Sequence, residues 1–473
     1  MGSHLEQRKE NSTRPRLDVA KESHELSEFG GSNGLSGSSE LSNLSKSSGL
    51  SKLSESNETR GFLRGGRAAA FLLVLFFVSA LCQIDRILPF ILAESIKRDL
   101  HLSDTELGLI TGIAFAVCHS IMSLPLAHLA DRGSPRLVLS ACLLAWSAMT
   151  AVGGFASSTI SLAFSRLGVA TGEAGAVPAG HALIARNIAP ERRGFAIGLF
   201  SLGIPVGAMV GFGIGGIIGD AFGWRTALFG AGAIGALIGA LIPLAVPPTP
   251  AMMRDDLRQE PFLQASLKLL MSPVFRWLFG SAIAIGFATA PFYAFAAPFL
   301  IRAHGLSVSE AGMYFGALQG LMGLLGTPLA GRGFDRAVAA GRADVLRAPA
   351  IVLLISAFTT TAALFAPTGW MTVALFVPQM FGAAFLLPWA FGAAHLVAGP
   401  GKQALASSLV LIGAGLFGPA LGPLLVGMIS DAATAANIPN GLRFALLLVP
   451  FATLLASAAA MVSNRRLASM ERR

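Results

Sequence analysis

The sequence predicts an all-α membrane protein with twelve transmembrane helices in two pseudo-symmetric six-helix bundles. Three observations predict it. Only 13% of the 473 residues are charged and 53% are hydrophobic, where a soluble protein carries about a quarter charged residues. Apolar runs recur at the length of roughly 20 residues that a hydrocarbon core of about 30 Å demands. One short motif returns in the second half of the chain in the same orientation. With a mean hydropathy of +0.65, the composition excludes a soluble enzyme.

The N-terminal segment 1–66 is rich in Ser, Gly, Leu, Lys and Glu and has neither a 3.6-residue nor a 2-residue hydrophobic period, so it is expected to be a disordered tail, partly a cloning remnant at Met-Gly-Ser-His. The first apolar run is too long for a cleavable leader and holds Asp85-Arg86. It is expected to stay in the membrane. Spans are predicted at 68–96, 106–128, 136–155, 158–185, 193–219, 224–246, 276–301, 310–331, 348–366, 370–398, 403–429 and 440–462. The first six form an N-terminal bundle, 67–246, and the last six a C-terminal bundle, 276–463. Residues 247–275, the longest connection, form a cytoplasmic inter-bundle loop, and 464–473 a cytoplasmic C-terminal tail.

Basic loops stay on the cytoplasmic side. Of 35 Lys and Arg, 28 lie in the N-terminal tail, the even-numbered connections and the C-terminus. Five (Lys97, Arg98, Arg225, Arg302, Arg443) lie on the opposite side, and Arg86 and Arg166 lie inside spans. Both termini are therefore expected in the cytoplasm of a multi-pass protein of a bacterial inner membrane. Topology accounts for the net charge of +9, and no nucleic-acid partner is expected. Cys82, Cys118 and Cys142 fall in apolar segments with no ligand-like spacing. They read as packing residues, and neither metal nor cofactor is expected.

The internal repeat has an offset of 204 residues. Leu102-Ser103-Asp104-Thr105-Glu106-Leu107-Gly108 corresponds to Leu306-Ser307-Val308-Ser309-Glu310-Ala311-Gly312, and Asp131-Arg132 to Asp335-Arg336. Parallel repeats imply a pseudo-two-fold axis along the membrane normal and a site between the halves near the midplane.

The segment PLAHLADRGSPR, with Asp131 and Arg132 at its acidic and basic positions, resembles the loop signature of the major facilitator superfamily. Ala127 and Ser134 stand where that signature has glycines. Asp85-Arg86, RLGVATGEAG (166–175) and GIPVGAMVG (203–211) together resemble the spinster family of lipid transporters. The resemblance implies the major facilitator fold, alternating access and lysophospholipid or sphingoid-type substrates. It also implies gating contacts at Asp131, Arg132, Arg136, Asp335 and Arg336 on the cytoplasmic side.

A charge at the bilayer centre costs about 2.5–3.5 kcal/mol on insertion scales, so it needs a cavity or a partner. Asp85 and Arg86 are adjacent and point about 100° apart on a helix, whereas Arg166 and Glu173 lie two turns apart on one face. The economical arrangement brings all four to one polar pocket between the first and fourth spans. Asp85 and Glu173 are the expected proton-coupling groups. Arg86, Arg166 and His119 are the expected contacts for an anionic head group. The competing reading is a set of structural ion pairs. In the second half the corresponding spans offer aromatics instead; Phe292, Tyr293 and Trp389 are expected to line the substrate's apolar part. The expected activity is proton-coupled transport of amphipathic lipid-like molecules by a monomer among membrane lipids, with small organic anions or drugs as the alternative. No Ser/His/Asp, metal-ligand or phosphate-loop constellation indicates an enzyme.

The fifth span repeats Gly203, Gly207, Gly211, Gly215 and Gly219 every four residues, a stripe that lets another backbone approach closely.

Overall fold

The computed structural model describes residues 63, 65–189, 192–248, 262–342, 344–399 and 403–471. Among them only helices, turns and connecting segments occur. In chain order they are α1 (Gly65–Ile91), α2 (Ala93–Leu100), α3 (Asp104–Leu109), a π segment Ile110–Ala114, α4 (Phe115–Arg132), α5 (Pro135–Gly154), α6 (Thr159–Glu173), α7 (Ala176–Asn187), α8 (Arg193–Phe222) and α9 (Trp224–Ala245). The second half holds α10 (Phe262–Met271), α11 (Pro273–His304), α12 (Val308–Ala339), α13 (Arg347–Leu364), α14 (Gly369–Ala398), α15 (Gln403–Ile412), a π segment Gly413–Phe417, α16 (Gly418–Ala435), α17 (Gly441–Ala445) and α18 (Leu448–Glu471).

Ten helical segments among the described residues are long and apolar enough to cross a membrane. The other two expected spans correspond to α6 with α7, and to the 32-residue α12. The former is interrupted at Ala174-Gly175 and carries Arg166 and Glu173, so neither piece is a long apolar helix. The expected C-terminal tail is not separate from the fold, because α18 runs to Glu471 with Leu467 and Ala468 buried, and Asn464 Oδ1 accepts from Leu346 N at 2.9 Å. The expected N-terminal tail lies outside the described residues except for Leu63, Gly65 and Gly66, as does 249–261 of the inter-bundle loop.

The repeat is a repeated capping box. Ser103 Oγ accepts from Glu106 N at 3.1 Å while Ser103 N donates to Glu106 Oε2 at 2.8 Å; Ser307 and Glu310 do the same at 3.1 and 2.9 Å. Each pair satisfies N–H groups that a helix start leaves unpaired, and so fixes where α3 and α12 begin.

Glycines set the helix spacing. Gly203, Gly207, Gly211, Gly215 and Gly219 all face α1, meeting in turn Phe76 and Ala80, Ala80 again, Ile84 with Ile87, Leu88, and Leu92. At Gly207 a Cβ would stand 2.3 Å from the Ala80 carbonyl oxygen. On α6, Gly172 lies so close to α5 that a Cβ would sit 2.8 Å from the Cys142 carbonyl. These two close approaches press α1 and α6 into the positions from which their charged side chains meet.

Within the first half α1 packs on α8, and α5 packs on α6 and α9; within the second, α11 packs on α18 and α14 packs on α12 and α13. The halves meet through α8 with α12, α3 with α16, and α1 with α11. The α3–α16 contact is intimate: Gly108 abuts the Pro423 carbonyl, and Gly427 abuts that of Asp104. Toward the other end α4 scarcely touches α16, and Gly331 and Gly415 face open space. The two halves are thus sealed at the end holding α2 and the start of α3, and apart at the other.

Replacing Gly207 with Ala is expected to lower stability by about 1–3 kcal/mol, the cost of overpacking a tight contact. Gly213→Ala on the same helix, where a Cβ meets nothing within 4 Å, should be neutral. Thermal unfolding of the two purified variants in detergent checks the difference.

Candidate functional site

Asp85 and Arg86 sit at the middle of α1, and they reach different partners as their adjacent positions require. Arg86 Nε and Nη2 both donate to Glu173 Oε2, at 3.2 and 2.9 Å. Arg86 Nη2 also lies 3.4 Å from His119 Nε2. The Glu173 side chain is 0% exposed and that of Arg86 is 35% exposed, so the pair reaches open space only through its cation. Asp85 takes a neutral partner: Trp146 Nε1 donates to its Oδ2 at 3.0 Å. Arg166 Nη1 donates to the Asp85 backbone carbonyl at 3.4 Å.

Phe115 sits between the two cations. Its ring centroid is 5.0 Å from the Arg86 guanidinium carbon and 5.3 Å from that of Arg166, and it stacks on His119 at 5.7 Å. An aromatic face offers a guanidinium about 0.5–2 kcal/mol, more as water is excluded. Thr150 stands against the Asp85 carboxyl and Cys82 against that of Glu173, whereas the buried Arg166 Nε has no hydrogen-bond partner among the described residues. The structure therefore brings Asp85, Arg86, His119, Arg166 and Glu173 together, and adds Phe115 and Trp146. In the sequence those two were indistinguishable from other apolar residues of their helices.

The aromatic residues of the second half are placed differently from the expectation. Phe292 is 2% exposed and packs against Phe376 and Phe315, with ring centroids 4.9 and 5.5 Å away. Trp389 is 3% exposed between Phe334 and Phe385. Both are core side chains here rather than walls of a site: Phe292 lies in the apolar cluster that joins the halves through Phe315 and Phe212, and Trp389 in a core of the second half. Tyr293 is half-buried at the edge of the cluster that holds Phe292.

At the unsealed end, Arg136 Nη1 donates to the carbonyls of Pro243 and Val246, each at 3.2 Å, closing the last turn of α9. Arg186, on α7, donates to the Ala130 and Gly133 carbonyls, each at 3.2 Å. Arg132, Asp335 and Arg336 are exposed, with no ion pair among the described residues. The side chain of Asp131 lies outside the described residues.

The sealed end carries a clasp that sequence reasoning missed. Arg302 of α11 donates to Asp104 Oδ1 and Oδ2, both at 2.7 Å, and to Glu94 Oε1 at 2.7 Å. Lys97 Nζ and Ser430 Oγ also donate to Asp104, at 2.5 and 2.6 Å. Asp431 of α16 accepts from the backbone N–H of Asp104 and Thr105 at 3.0 and 2.8 Å and from Thr105 Oγ1 at 2.6 Å. A carboxylate of one half thus caps the N-terminus of α3 in the other, where the helix dipole favours negative charge. Nearby, Arg225 and Trp224 donate to Asp99. Those hydrogen bonds, the Arg225 one foremost, hold the exposed Asp99 carboxyl below the usual carboxylate range. The only earlier sign of the clasp was that Lys97 and Arg302 stand against the positive-inside pattern.

A bundle of membrane-length helices, sealed at one end and enclosing a charged cluster at mid-depth, is the frame of a membrane transporter. The chain belongs to the Major Facilitator Superfamily, whose family model matches residues 72–347. It is 34% identical over 385 residues to an MFS-type efflux pump of Mycolicibacterium smegmatis, covering 81% of this chain and 89% of that one. It is 26% identical over 416 residues to a sphingosine-1-phosphate transporter of Danio rerio, covering 81% of each. Its fold superposes with a TM-score of 0.75 on a bacterial homolog of the human lysosomal transporter spinster in an inward-facing and occupied conformation, at 28% identity over 85% of this chain and 98% of that one. The chain is a spinster-like, multi-pass member of a transporter family, not of an enzyme family.

Two predictions follow from the pairing. Glu173→Gln leaves Arg86 without its counter-charge and should cost about 1–3 kcal/mol, less than the ~3–5 of a fully buried broken pair because Arg86 reaches open space. Asp85→Asn keeps the oxygen that accepts from Trp146 and should change stability little; thermal unfolding of both variants in detergent decides. Arg302→Met should loosen the clasp. Spin labels at Arg98→Cys and Ala435→Cys, in a protein without its native cysteines, would then show a longer or broader distance distribution by pulsed paramagnetic resonance.

Proposed function

We propose that this protein is a proton-coupled secondary active transporter of amphipathic lipid-like substrates, of lysophospholipid or sphingoid type, working by alternating access. The observation that carries the reading is the Arg86–Glu173 pair: its carboxylate is fully enclosed while its cation is a third exposed. Arg86 is thus the face the cluster turns toward open space, and an anionic head group is what a guanidinium there attracts. Arg166 and His119 stand behind it.

Asp85 and Glu173 carry the proton in this reading. With two carboxylates and two guanidinium groups the cluster is near charge balance, and one added proton leaves it net positive. The carboxylates titrate as a coupled set. One pH unit is worth ~1.4 kcal/mol per proton, which sustains about a tenfold substrate gradient.

Residues 67–246 rock against 276–463, with both termini in the cytoplasm of a bacterial inner membrane and the protein acting as a monomer. The open end is then the cytoplasmic one, a reading supported by the likeness to the inward-facing structure of a bacterial spinster homolog. Asp131, Arg132, Asp335 and Arg336 would engage when that end closes; Arg186 shapes the turn that presents the first two, and Arg136 holds the end of α9.

A second reading, export of small organic anions or drugs, is favoured by the 34% identity to an MFS-type efflux pump. Uptake of labelled lysophospholipid into proteoliposomes, with and without an imposed pH difference, separates the two. Accumulation should follow the pH gradient in the intact protein and lose that dependence in folded Asp85→Asn protein. If a folded intact protein moves no lysolipid yet exchanges hydrophilic anions or dyes, the second reading replaces the first.

A further inference from the structure

Two glutamines in the membrane-spanning part of the chain take no part in the charged cluster. Gln83 lies on α1, three residues before Arg86, and Gln319 lies on α12. Both are half-buried. An amide in an apolar span ordinarily bonds across to a neighbouring helix, because an unmade hydrogen bond is costly away from water. Gln319 does not: its Oε1 is closed off from solvent and has no hydrogen-bond partner among the described residues. Buried polar atoms are nearly always satisfied, so an unspent one at the seam between the halves points to a partner that the chain itself does not supply.

The close contacts of the helices fix where the two amides stand. Gly207 and Gly211 of α8 meet Ala80 and Ile84 of α1, and between those glycines Met209 of α8 meets Gly316 and Gly320 of α12. Gln83 and Gln319 are therefore at one depth, on helices that also touch each other. Phe315 shares the face of Gln319, one turn nearer the sealed end. It packs on Phe212 of the first half, with ring centroids 5.3 Å apart, and on Phe292 of the second at 5.5 Å. Gln319 thus follows directly beneath the aromatic layer that joins the halves, on the side of the open end. Ile84, beside Gln83, and Met322, one turn from Gln319, are only partly buried against the same apolar cluster, which ends at this depth. Arg86 follows Gln83 by one turn of α1, and side chains three apart on a helix have Cβ atoms about 5–6 Å from each other. The locus so outlined has a guanidinium at one end and neutral amides at the other.

We infer that Gln83 and Gln319 form a neutral hydrogen-bonding subsite, contributed by both halves, for a hydroxyl group that lies beside the anionic group of the substrate. The inference rests on the proposed lipid transport and deepens it by naming the residues that select among substrates. With the anionic group on Arg86, a hydroxyl a few bonds further along the molecule comes level with the amides. A hydroxyl both donates and accepts, and each amide offers an acceptor oxygen and two N–H donors, so either orientation is served. Lysophospholipids and sphingoid phosphates both carry a hydroxyl near their phosphate. A site built to hydrogen-bond a hydroxyl rejects the analogue that lacks it, because its own polar group is then left unpaired. Neither glutamine titrates, so the subsite sets specificity and carries no proton.

The test compares uptake of a labelled lysophospholipid into proteoliposomes with that of its 2-deoxy analogue, identical in head group and chain. In the intact protein kcat/KM for the hydroxylated lipid should exceed that for the analogue by about tenfold, the worth of one neutral hydrogen bond. The near-isosteric Gln319→Met should bring the ratio close to one by lowering the first value and leaving the second. A general defect in folding or rocking lowers both values alike and does not move the ratio. If Gln319→Met does not fold, Gln83→Met gives the same readout from the other half. Equal values for the two lipids in the intact protein, or a preference that survives in the folded variant, overturns the subsite and leaves lipid transport standing. A folded intact protein that moves neither lipid removes the lipid reading and the subsite with it.

Discussion

The architecture turns on the ion pair between Arg86 and Glu173. Charge in hydrocarbon must be paired or wetted, and a pair across α1 and α6 demands that the two helices approach closely with the right rotation. The sequence meets that demand with missing side chains. The glycine stripe of α8 lets α1 lie against it almost backbone to backbone, and Gly172 lets α6 do the same against α5. Trp146, carried on α5 between them, then falls within reach of Asp85. The apolar stretches around the cluster are ordinary in composition; their spacing is what the pair dictates.

The two carboxylates of the cluster are chemically alike and differently housed. Glu173 gives one oxygen to a guanidinium and ends α6 at the break before α7. Asp85 gives one oxygen to a neutral indole, and the nearby Arg166 spends a donor on its backbone carbonyl rather than on its carboxylate. Losing a charge at Glu173 strands a cation, whereas losing one at Asp85 breaks no side-chain ion pair seen among the described residues. This inequality makes Asp85 the group that can change protonation at lower structural cost. A symmetric pair of salt bridges would have resisted both changes.

Much of this was legible in the chain, and what was not has a physical reason. Span lengths and order follow from apolar run length. The repeat at Ser103 and Ser307 was visible because a capping box is local in sequence. Asp85, Arg86, Arg166 and Glu173 stood out because charge in an apolar run is expensive wherever it falls. The clasp was not legible: Arg302 reaches Asp104 across 198 residues and Asp104 reaches Asp431 across 327, and no periodicity encodes a contact between halves. Phe292 and Trp389 were misplaced for a related reason. A helix apolar on all sides shows no stripe by which to tell the face toward a cavity from the face toward a core. Phe115 was hidden in the same way, and its role rests on which cations happen to flank it.

The charge cluster lies wholly within the first half, on α1, α4 and α6, so moving one half against the other leaves its pairs intact. A change of charge there can influence the halves only through an element that also touches their contact. α1 is such an element. It carries Asp85 and Arg86, packs on α11, and passes through Leu92 into α2, where Glu94 and Lys97 enter the clasp. From Asp85 to Glu94 is nine residues, about 13 Å along a helix. Leu92 N donates to the Leu88 carbonyl at 3.0 Å and Ile96 N to the Leu92 carbonyl at 2.9 Å, so the hydrogen-bond ladder crosses the junction and α2 follows α1. Coupling between the buried charges and the seal therefore needs no long chain of contacts: one helical run and one arginine from the opposite half connect them.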